Sequence, residues 1–320
     1  MEQCKNRTLL FLLIQVVCAM HRNSTRICFI FNPAADRNRS QQHIKWLNKA
    51  SHERWKAPEI HIVGKNQDIA ETAHEKSHHF DVVVACGGDG TIHKVINGIT
   101  GTDTALGVLP IGSGNDFVKT LDLKRSPAEC LHIIDRGLRK PMDLIRFEGD
   151  VSGWCANTLG LGLDGWANHF AHNNSTLKGA LVYIYGAVKA AFTFKGSRVI
   201  LEQDGEIEQD HFLMVTACNG KWEGGNFLVA PHADIADGKM DLLTIKNIPL
   251  AQILAYLPRF RWGPSAQMNG VSLTTCRHLR YSSNKPVAVH CDGEELGVNI
   301  KDLRLFISEK ILEVIVPEPY

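Results

Sequence analysis

Residues 82–99 read VVVACGGDGTIHKVINGI: an apolar run, a glycine-rich turn and then apolar residues at helical spacing. The turn, GGDGT at 87–91, holds three glycines and one acid, whereas a plain strand-to-helix turn needs one glycine at most. Extra glycines let the backbone come close to a ligand, and the N-terminus of a helix favours an anion. The stretch therefore predicts a buried strand, a helix and an anion-binding turn between them.

The same strand-and-helix pattern extends over residues 26–140. Apolar strands in RICFIFNPAA, PEIHIVG, FDVVVACGG and ALGVLPIG alternate with segments at helical spacing. This alternation predicts a Rossmann-like α/β domain with a parallel sheet covered on both faces. Its glycine loops at 87–90 and 112–114 both follow strand ends, where open α/β sheets bind ligands.

From about residue 140 the chain changes to strands with hairpin signals, such as QDGE at 203–206 and CDGEELG at 291–297. These signals predict a second, mainly antiparallel β-sandwich domain over 141–300, interrupted by one helical stretch. Residues 301–320 are expected to pack back on one of the two domains.

Residues 1–25 stand apart from this pattern. Lys5 and Arg7 precede the apolar run Leu9–Met20, which is too short to span a bilayer comfortably. A charged start, an apolar middle and small residues near Ala19 are typical of a signal peptide. An upstream extension or mis-called start is favoured, since nothing downstream looks extracellular. A short membrane-touching helix is the third alternative.

The composition bounds the class of protein. The 320 residues include 35 Lys and Arg against 34 Asp and Glu, with a net charge of +1. A generic nucleic-acid binder would be strongly basic, so no nucleic-acid partner is expected. Nine cysteines are dispersed without a C-x-x-C pair, and the fifteen histidines show no H-E-x-x-H spacing. Such a cysteine set is typical of a reducing compartment and predicts a cytoplasmic protein.

The GGDG turn matches neither common nucleotide fingerprint. G-x-G-x-x-G fails because His93 stands where the third glycine is required, and no G-x-x-x-x-G-K-[ST] occurs. An acid inside a phosphate loop is costly unless a cation accompanies the phosphates. Asp89 therefore indicates a Mg²⁺-nucleotide. The alternative is that Asp89 only caps the helix starting at Thr91.

A second loop, LPIGSGNDF at 109–117, supports the metal interpretation. Ser113 offers a hydroxyl, its neighbouring glycines offer backbone N–H groups, and Asn115 and Asp116 add an amide and a carboxylate. Two glycine loops with acids on neighbouring strand ends favour a phosphate-and-metal cleft over two coincidental helix caps.

At this point the sequence resembles a known family. NP after the first strand, GGDGT and PIGSGND are similar to the diacylglycerol kinase catalytic domain, in its soluble bacterial lipid kinase branch. Sphingosine and ceramide kinases are similar, and NAD kinases and phosphofructokinases share the GGDG element more distantly. The resemblance runs from about residue 26 through PMDLIRF, NTLGLGLDG and VAVHCDGEEL. Two departures are Ser113, where the family most often has threonine, and Val63 or Gly64, where a threonine usually lies near the adenine.

The resemblance implies a set of ATP-binding residues on the first strand end and the two glycine loops. They are Asn32, Gly64, Gly87, Gly88, Asp89, Gly90, Thr91, Ile92, His93, Gly112, Ser113, Asn115 and Asp116.

Two metal sites are implied as well. Asp89, Asp116 and Asp143 would form a carboxylate network around Mg²⁺ through water, since Mg²⁺ prefers oxygen ligands and keeps several waters. A second, structural Mg²⁺ would be held at PHADIADGKMD by Asp237 and by the backbone near Asp234 and Lys239. At the second site, an Asp-Gly turn with charged flanks is the alternative.

Phosphoryl transfer to a hydroxyl also needs a base, for which a positioned carboxylate is the natural candidate. QDGE and CDGE are both good hairpins followed by a glutamate, and the local sequence does not choose between them. The resemblance selects the second hairpin, with Glu294 as proton acceptor and Asp292 beside it. Glu206, in the first hairpin, is the internal control.

One feature depends least on the resemblance: residues 242–291 contain no Asp or Glu. Basic and aromatic groups together suit an anionic bilayer surface, at about 1 kcal/mol per basic residue near it. A buried β domain whose few charges happen to be basic is the alternative. The stretch contains Lys246, Arg259, Arg261, Arg277, Arg280 and Lys285, interleaved with Tyr256, Phe260, Trp262 and Tyr281.

The sequence thus predicts an ATP- and Mg²⁺-dependent kinase that phosphorylates a lipid hydroxyl, of diacylglycerol or a related lipid, at a membrane surface. It is expected to be cytoplasmic and peripherally membrane-associated, and it could form a homodimer. One alternative is a kinase for a soluble acceptor such as NAD, although that branch lacks the GSGND element. Another is a nucleotide-binding regulator without catalysis, against which the intact Asp89, Asp116 and Glu294 argue.

Overall fold

The computed structural model describes residues 25–35, 39–112, 115–123, 126–174, 177, 180–265 and 267–318. The predictions for residues 1–24 and for Ser113 and its following glycine lie outside the described residues.

Four parallel strands form the N-terminal part, as the alternation predicts, in the spatial order β4-β3-β1-β2. β1, β3 and β4 are buried along their whole length because helices cover both faces of the sheet. The strands are β1 (Ile27–Phe31), β2 (Glu59–Ile62), β3 (Val82–Gly87) and β4 (Ala105–Pro110). The helices are α1 (Ser40–His52), α2 (Ile69–Ser77), α3 (Asp89–Ile99), α4 (Asp116–Thr120) and α5 (Pro127–Arg136).

The alternating side chains of β3 divide the buried residues between two clusters. Val83 and Ala85 pack on one face of the sheet, with Ile92 and Ile96 of α3. Val84 lies on the opposite face, in a second cluster with the residues of α1 and α5. This period of two along a strand fixes β3 between its two helix layers, and so fixes the glycine turn at its end.

Antiparallel strands make up the rest of the sheet. They are β5 (Arg139–Gly149), β6 (Gly153–Cys155), β7 (Thr158–Gly162), β8 (Ser197–Gln203), β9 (Glu206–Cys218), β12 (Met240–Lys246), β13 (Val271–Cys276), β14 (His278–Cys291) and β15 (Glu294–Ile315). β10 (Trp222–Glu223) and β11 (Phe227–Leu228) form a separate small hairpin. Three further helices, α6 (Leu163–His172), α7 (Ala180–Thr193) and α8 (Leu250–Tyr256), are followed by a 3₁₀ turn over Leu257–Arg261.

The long strand β15 joins the two parts of the molecule. It runs antiparallel to β14 and β5, and near its end Val314 pairs in parallel with Leu106 of β4. Residues 301–315 therefore contact strands of both predicted domains, whereas the sequence placed this segment on one of them. Among the described residues, no helix combines the length and apolar character needed to cross a bilayer.

Candidate active site

The two glycine turns pack directly against each other. A Cβ atom on Gly112 would collide with the Cα atom of Gly88, and one on Gly87 would collide with the side chain of Thr91. Both turns therefore require glycine for close backbone packing, which brings the carboxyl ends of β3 and β4 together. The predicted meeting of the two loops is confirmed for Gly87, Gly88 and Gly112.

Asn32 is fixed at the end of β1 beside this turn. Its Nδ2 donates a hydrogen bond to Oγ1 of Thr91 at 2.9 Å, and its Oδ1 accepts one from the N–H of Ala34 at 3.0 Å. Asn32, Thr91 and Ile92 all line the same cleft, and the side chain of Ile92 also packs in the core. Gly64 is exposed and its N–H donates to Gln67 at 3.1 Å. The adenine contact of Gly64 stays a prediction.

Asp89 does not cap its own helix. Helix α3 begins at Asp89 with Gly88 as N-cap and without a side-chain cap. The carboxylate instead accepts a hydrogen bond from the N–H of Phe117 at 3.3 Å, at the start of α4. Burial, together with the nearby carboxylate of Asp116, raises the pKa of Asp89 to about 6. The alternative of a plain helix cap is therefore wrong.

Asp116 lies in the first turn of α4, following Asn115, whose amide donates to the carbonyl of Gly112 at 2.9 Å. Its carboxylate accepts from Nζ of Lys119 at 2.9 Å and from the N–H of Gly225 at 2.8 Å. The carboxylates of Asp89 and Asp116 thus face one buried corner of the cleft, where their mutual repulsion shows in the raised pKa of Asp89. An oxygen-rich, negatively charged corner of this kind fits Mg²⁺.

Asp143 is placed elsewhere. It is fully buried, and its two carboxylate oxygens accept from the N–H groups of Lys310 at 2.7 Å and Gly238 at 2.8 Å. It does not line the cleft that contains Asp89 and Asp116. The predicted three-member network is therefore reduced to a pair. Because both oxygens of Asp143 are used by backbone donors, this residue holds the chain around Gly238 in place.

The turn predicted to hold a structural metal is closed by local hydrogen bonds. Asp237 accepts from the N–H of Lys239 at 3.0 Å, and Asp234 accepts from the N–H of Ala236 at 3.1 Å. Asp234 is also ion-paired with Lys140 at 3.2 Å. These contacts are those of an Asp-Gly turn with charged flanks. Metal binding at this turn stays a prediction.

Asp292 is a buried anchor. Its carboxylate accepts from the backbone N–H groups of Asn157 at 2.7 Å, Ala156 at 3.0 Å and Thr158 at 3.1 Å, and contacts Nδ1 of His93 at 2.8 Å. Burial alone would raise its pKa, but the hydrogen bonds from His93 and the backbone outweigh burial and hold the pKa below its usual value. Asp292 therefore stays ionised and positions the chain, with no oxygen left over for proton transfer.

Glu294 lies directly on the glycine turn. A Cβ atom on Gly90 would collide with its carboxylate, so the glycine makes room for the acid. Its Oε2 lies 3.8 Å from Nζ of Lys94, and its side chain is 33% exposed and faces the cleft. Glu206, in the similar hairpin, is exposed and does not line the cleft. The structure thus places the second hairpin, and not the first, at the cleft, and the role of Glu294 as base stays a prediction.

The two glycine turns, Asn32 and the carboxylates of Asp89, Asp116 and Glu294 open onto one cavity of about 430 Å³. Asp89, Asp116, His93 and Glu294 line its polar end. The remainder runs into the β domain between α6, α7, α8 and the sheet. Its apolar wall consists of Leu163, Ala167, Tyr183, Ala187, Met214, Phe227, Val229, Ile245, Ile248, Ile253, Tyr256, Leu257 and Phe260. The acidic corner beside the glycine turns and the apolar chamber are therefore parts of the same cavity.

Sequence reasoning missed a buried cluster in the cavity wall. Nε2 of His290, which is 1% exposed, lies 2.9 Å from Glu223 and 3.4 Å from Asp164. Burial alone would lower the pKa of His290, but its two carboxylate neighbours outweigh burial and raise the pKa above its usual value. Burial, together with the neighbouring Asp164, raises the pKa of Glu223 to about 8. The one signal was Gly160 in NTLGLGLDG: a Cβ there would collide with Asp164 and His290.

Fold and site together define a two-domain kinase in which an acidic corner beside the glycine turns opens into an apolar chamber. Residues 26–147 match the diacylglycerol kinase catalytic domain, and residues 157–315 match the YegS C-terminal NAD kinase beta sandwich-like domain. The chain belongs to the diacylglycerol kinase family of lipid kinases. The family, the enzyme class and the fold class predicted from the sequence are confirmed.

Individual relatives agree with this assignment. The chain is 25% identical over 279 residues to a diacylglycerol kinase of Bacillus subtilis, covering 85% of this chain and 91% of that protein. A solved structure of a diacylglycerol kinase from Bacillus anthracis superposes with a TM-score of 0.73 at 18% identity, over 92% of this chain and 97% of that one. An NAD kinase from Archaeoglobus fulgidus, solved with ATP, gives a TM-score of 0.52 at 14% identity, over 91% and 94%. These two structures share the fold.

Proposed function

We propose that this lipid kinase transfers the γ-phosphate of ATP, with Mg²⁺, to a hydroxyl of diacylglycerol or a related lipid. The observation that carries the proposal is the single cavity of about 430 Å³, which joins Asp89 and Glu294 at its polar end to an apolar chamber. A polar, soluble acceptor such as NAD would gain little binding free energy from a chamber lined by aliphatic and aromatic side chains. Acyl chains fill such a chamber favourably, at about 25 cal/mol per Å² of apolar surface buried.

The two glycine turns and the N-terminus of α3 provide the phosphate site. Backbone N–H groups at the start of a helix favour the negative charge of the phosphates. Mg²⁺ held by Asp89 and Asp116 would neutralise charge on the transferring phosphoryl group. Asn32 and Thr91 fix the rim of the turn through their mutual hydrogen bond.

Glu294 takes the proton of the lipid hydroxyl. As the hydroxyl oxygen bonds to the γ-phosphorus, the bond from that phosphorus to the β–γ bridging oxygen breaks and ADP leaves. The closeness of the Glu294 carboxylate to Gly90 supports this role, since the acid lies beside the glycine turn. Asp292 holds the end of β14 against residues 156–158 and against His93, and so positions the hairpin that carries the base.

The protein is proposed to work at the cytoplasmic surface of a membrane, on lipid taken from the bilayer. Support for a reducing compartment comes from the seven cysteines that the described part of the chain contains, all of them buried and free.

Phosphate transfer from γ-labelled ATP tests the proposal directly. Labelled product should form with diacylglycerol in mixed vesicles and with Mg²⁺, and not with NAD as acceptor. Label on NAD in place of lipid would favour the soluble-acceptor kinase. No transfer at all, together with retained ATP binding, would favour a regulator.

The metal site has its own test, in the variant Asp89→Asn. Turnover should be abolished while the fold persists, and Mg²⁺ should raise the melting temperature of the native protein but not of the variant. Because the pKa of Asp89 is raised to about 6, its ionisation costs folding free energy. Without metal, the native protein should therefore lose stability relative to Asp89→Asn as the pH rises from about 4 to about 6. Parallel curves would contradict the assignment.

A further inference from the structure

Helix α7 carries one charged residue, Lys189, and is otherwise mostly apolar, a pattern typical of a helix that is largely covered. Two of its sides are covered. Gly186 packs on the backbone of Ala167 in α6, where a Cβ atom would collide with the carbonyl oxygen. Tyr183 and Ala187 line the cavity.

The third side of α7 is open to solvent. Leu181 is 62% exposed, Ile184 49% and Phe192 55%. Positions three and eight residues apart fall on nearly the same face of a helix, so these side chains form one stripe. Large apolar side chains scattered singly over a surface need no explanation, but an ordered stripe on a cavity-lining helix does.

A second exposed apolar group lies at the same cavity. The segment 250–261, which is α8 with the 3₁₀ turn, packs against α7, and its Tyr256, Leu257 and Phe260 line the cavity. Trp262 follows at once and is 76% exposed. Both segments therefore present an inner face to the cavity and exposed apolar side chains to solvent.

Along the two stretches of sequence that contain these segments, every Asp, Glu, Lys or Arg position is basic. Residues 165–201 contain no Asp or Glu, and neither do residues 242–291. Lys189 of α7 and Arg259 and Arg261 of the 3₁₀ turn are exposed, and none of the three is ion-paired within the described part of the chain. The cavity is thus flanked by apolar side chains and uncompensated positive charge. That combination is complementary to a bilayer with anionic lipid.

Two other basic residues of the acid-free stretch are compensated from elsewhere in the chain. Arg277 is ion-paired with Glu309, and Lys246 is ion-paired with Glu208 and Asp210. The sequence analysis predicted one basic surface over the whole stretch. Tertiary neighbours remove Arg277 and Lys246 from that surface, whereas Arg280 and Lys285 have no ion pair among the described residues.

We propose that the outer stripe of α7, Leu181, Ile184 and Phe192, together with Trp262, is the surface that docks on an anionic bilayer. Lys189, Arg259 and Arg261 provide its attraction to the anionic headgroups. The lipid then passes from the bilayer into the chamber along the two segments that line it. This inference rests on the proposed function, since it supplies the route of the acceptor to Glu294.

The test is co-sedimentation with vesicles of phosphatidylcholine alone and of phosphatidylcholine mixed with phosphatidylglycerol. The triple variant Leu181→Ser, Ile184→Ser, Phe192→Ser should bind the mixed vesicles at least about tenfold more weakly than the native protein, since three apolar side chains no longer leave water. The matched control is Ile200→Ser with Ile207→Ser, which removes two exposed apolar side chains from the β8–β9 hairpin. The control should bind as the native protein does.

Turnover of a detergent-dispersed short-chain diacylglycerol separates docking from catalysis. The triple variant should retain native turnover in detergent, because the three side chains do not line the cavity. Native vesicle binding should fall with added salt, and Trp262→Phe should remove a blue shift of tryptophan emission on vesicle addition.

Equal vesicle binding by the triple variant and the native protein would overturn the docking surface. Failure of the native protein to bind either kind of vesicle would also overturn it. A triple variant that is a monomer where the native protein is a homodimer, and that binds vesicles as the native protein does, would overturn it too. Absence of turnover in detergent would overturn the proposed function alone, since vesicle binding is measured without ATP.

Discussion

The hairpins at 203–206 and 291–294 have the same local structure and different surroundings. Asp204 and Asp292 have φ of 49° and 51°, and the glycines that follow have φ of 93° and 84°. Gln203 pairs with Glu206 across one turn, as Cys291 pairs with Glu294 across the other. The sequence Asp-Gly-Glu therefore specifies the turn alone. What differs is the structure into which each turn is inserted.

The surroundings give the two turns different chemistry. Asp204 accepts from the N–H groups of Arg277 and His278 at the surface, and its side chain is 46% exposed. Asp292 accepts from three buried N–H groups and contacts His93 on α3. The helix that carries the phosphate turn thus also holds the second hairpin. This contact places Glu294 in the cleft.

The largest difference is expected in catalysis. Glu294→Gln should lower kcat by about 10²- to 10⁴-fold, because a positioned base contributes about that much to proton transfer. Glu206→Gln should leave kcat unchanged. The measurement is steady-state phosphate transfer to detergent-dispersed diacylglycerol, with ATP binding followed by titration. Equal kcat values for the two variants would show that the base is not in either hairpin.

A second difference is expected in stability. Asp292→Ala leaves three buried N–H groups and His93 without their acceptor, and should lower the free energy of unfolding by about 3 kcal/mol or more. Asp204→Ala removes a half-exposed acceptor and should cost about 1 kcal/mol or less. Denaturant unfolding measures both values. Asp292→Asn keeps the shape of the side chain, so a folded protein remains available if the alanine variant does not fold.

A third difference is expected on acidification. The pKa values of Asp204 and Asp292 are both lowered, through backbone hydrogen bonds and, at Asp292, through His93. A carboxyl with a lowered pKa stabilises the fold above its unfolded value near 3.9, and that contribution is lost as the pH falls through its folded value. The melting temperatures of the native protein and Asp292→Asn should converge as the pH falls from about 6 to about 2, across the ordinary carboxyl pKa of about 4.

The matched variant Asp204→Asn should differ from the native protein less at every pH, since solvent screens a half-exposed group. A pH dependence as large as that of Asp292→Asn would contradict the contrast in burial between the two turns.

The sequence predicted much of the fold because its signals are local. The alternation of strands and helices, the glycine turn after β3 and both hairpins depend on spacing within a few residues. The role of β15 does not, since Val314 meets Leu106 across more than two hundred residues of chain. The compensation of Arg277 by Glu309 is likewise invisible to a count of acids along the stretch.

The site was predictable to the extent that motifs carried it. Asp89 was identified through its motif and Glu294 through the family resemblance, and both lie in one cleft. Asp143 was assigned to the same network by resemblance, but backbone N–H groups occupy both of its oxygens. The cluster around His290 was not found, because its members lie on β14, α6 and β10 and no spacing rule connects them.

The smallest effect tests the premise that the two turns are equivalent. A Cβ atom on Gly205 or on Gly293 would meet nothing within 4 Å, so substitution by alanine adds only the strain of a positive φ. Gly205→Ala and Gly293→Ala should therefore each lower the free energy of unfolding by about 1 kcal/mol, and by the same amount. Denaturant unfolding of the two variants side by side measures the difference. A markedly larger loss at Gly293 would mean that the turn beside the cleft is itself strained, and that its backbone as well as its surroundings distinguishes it from the surface turn.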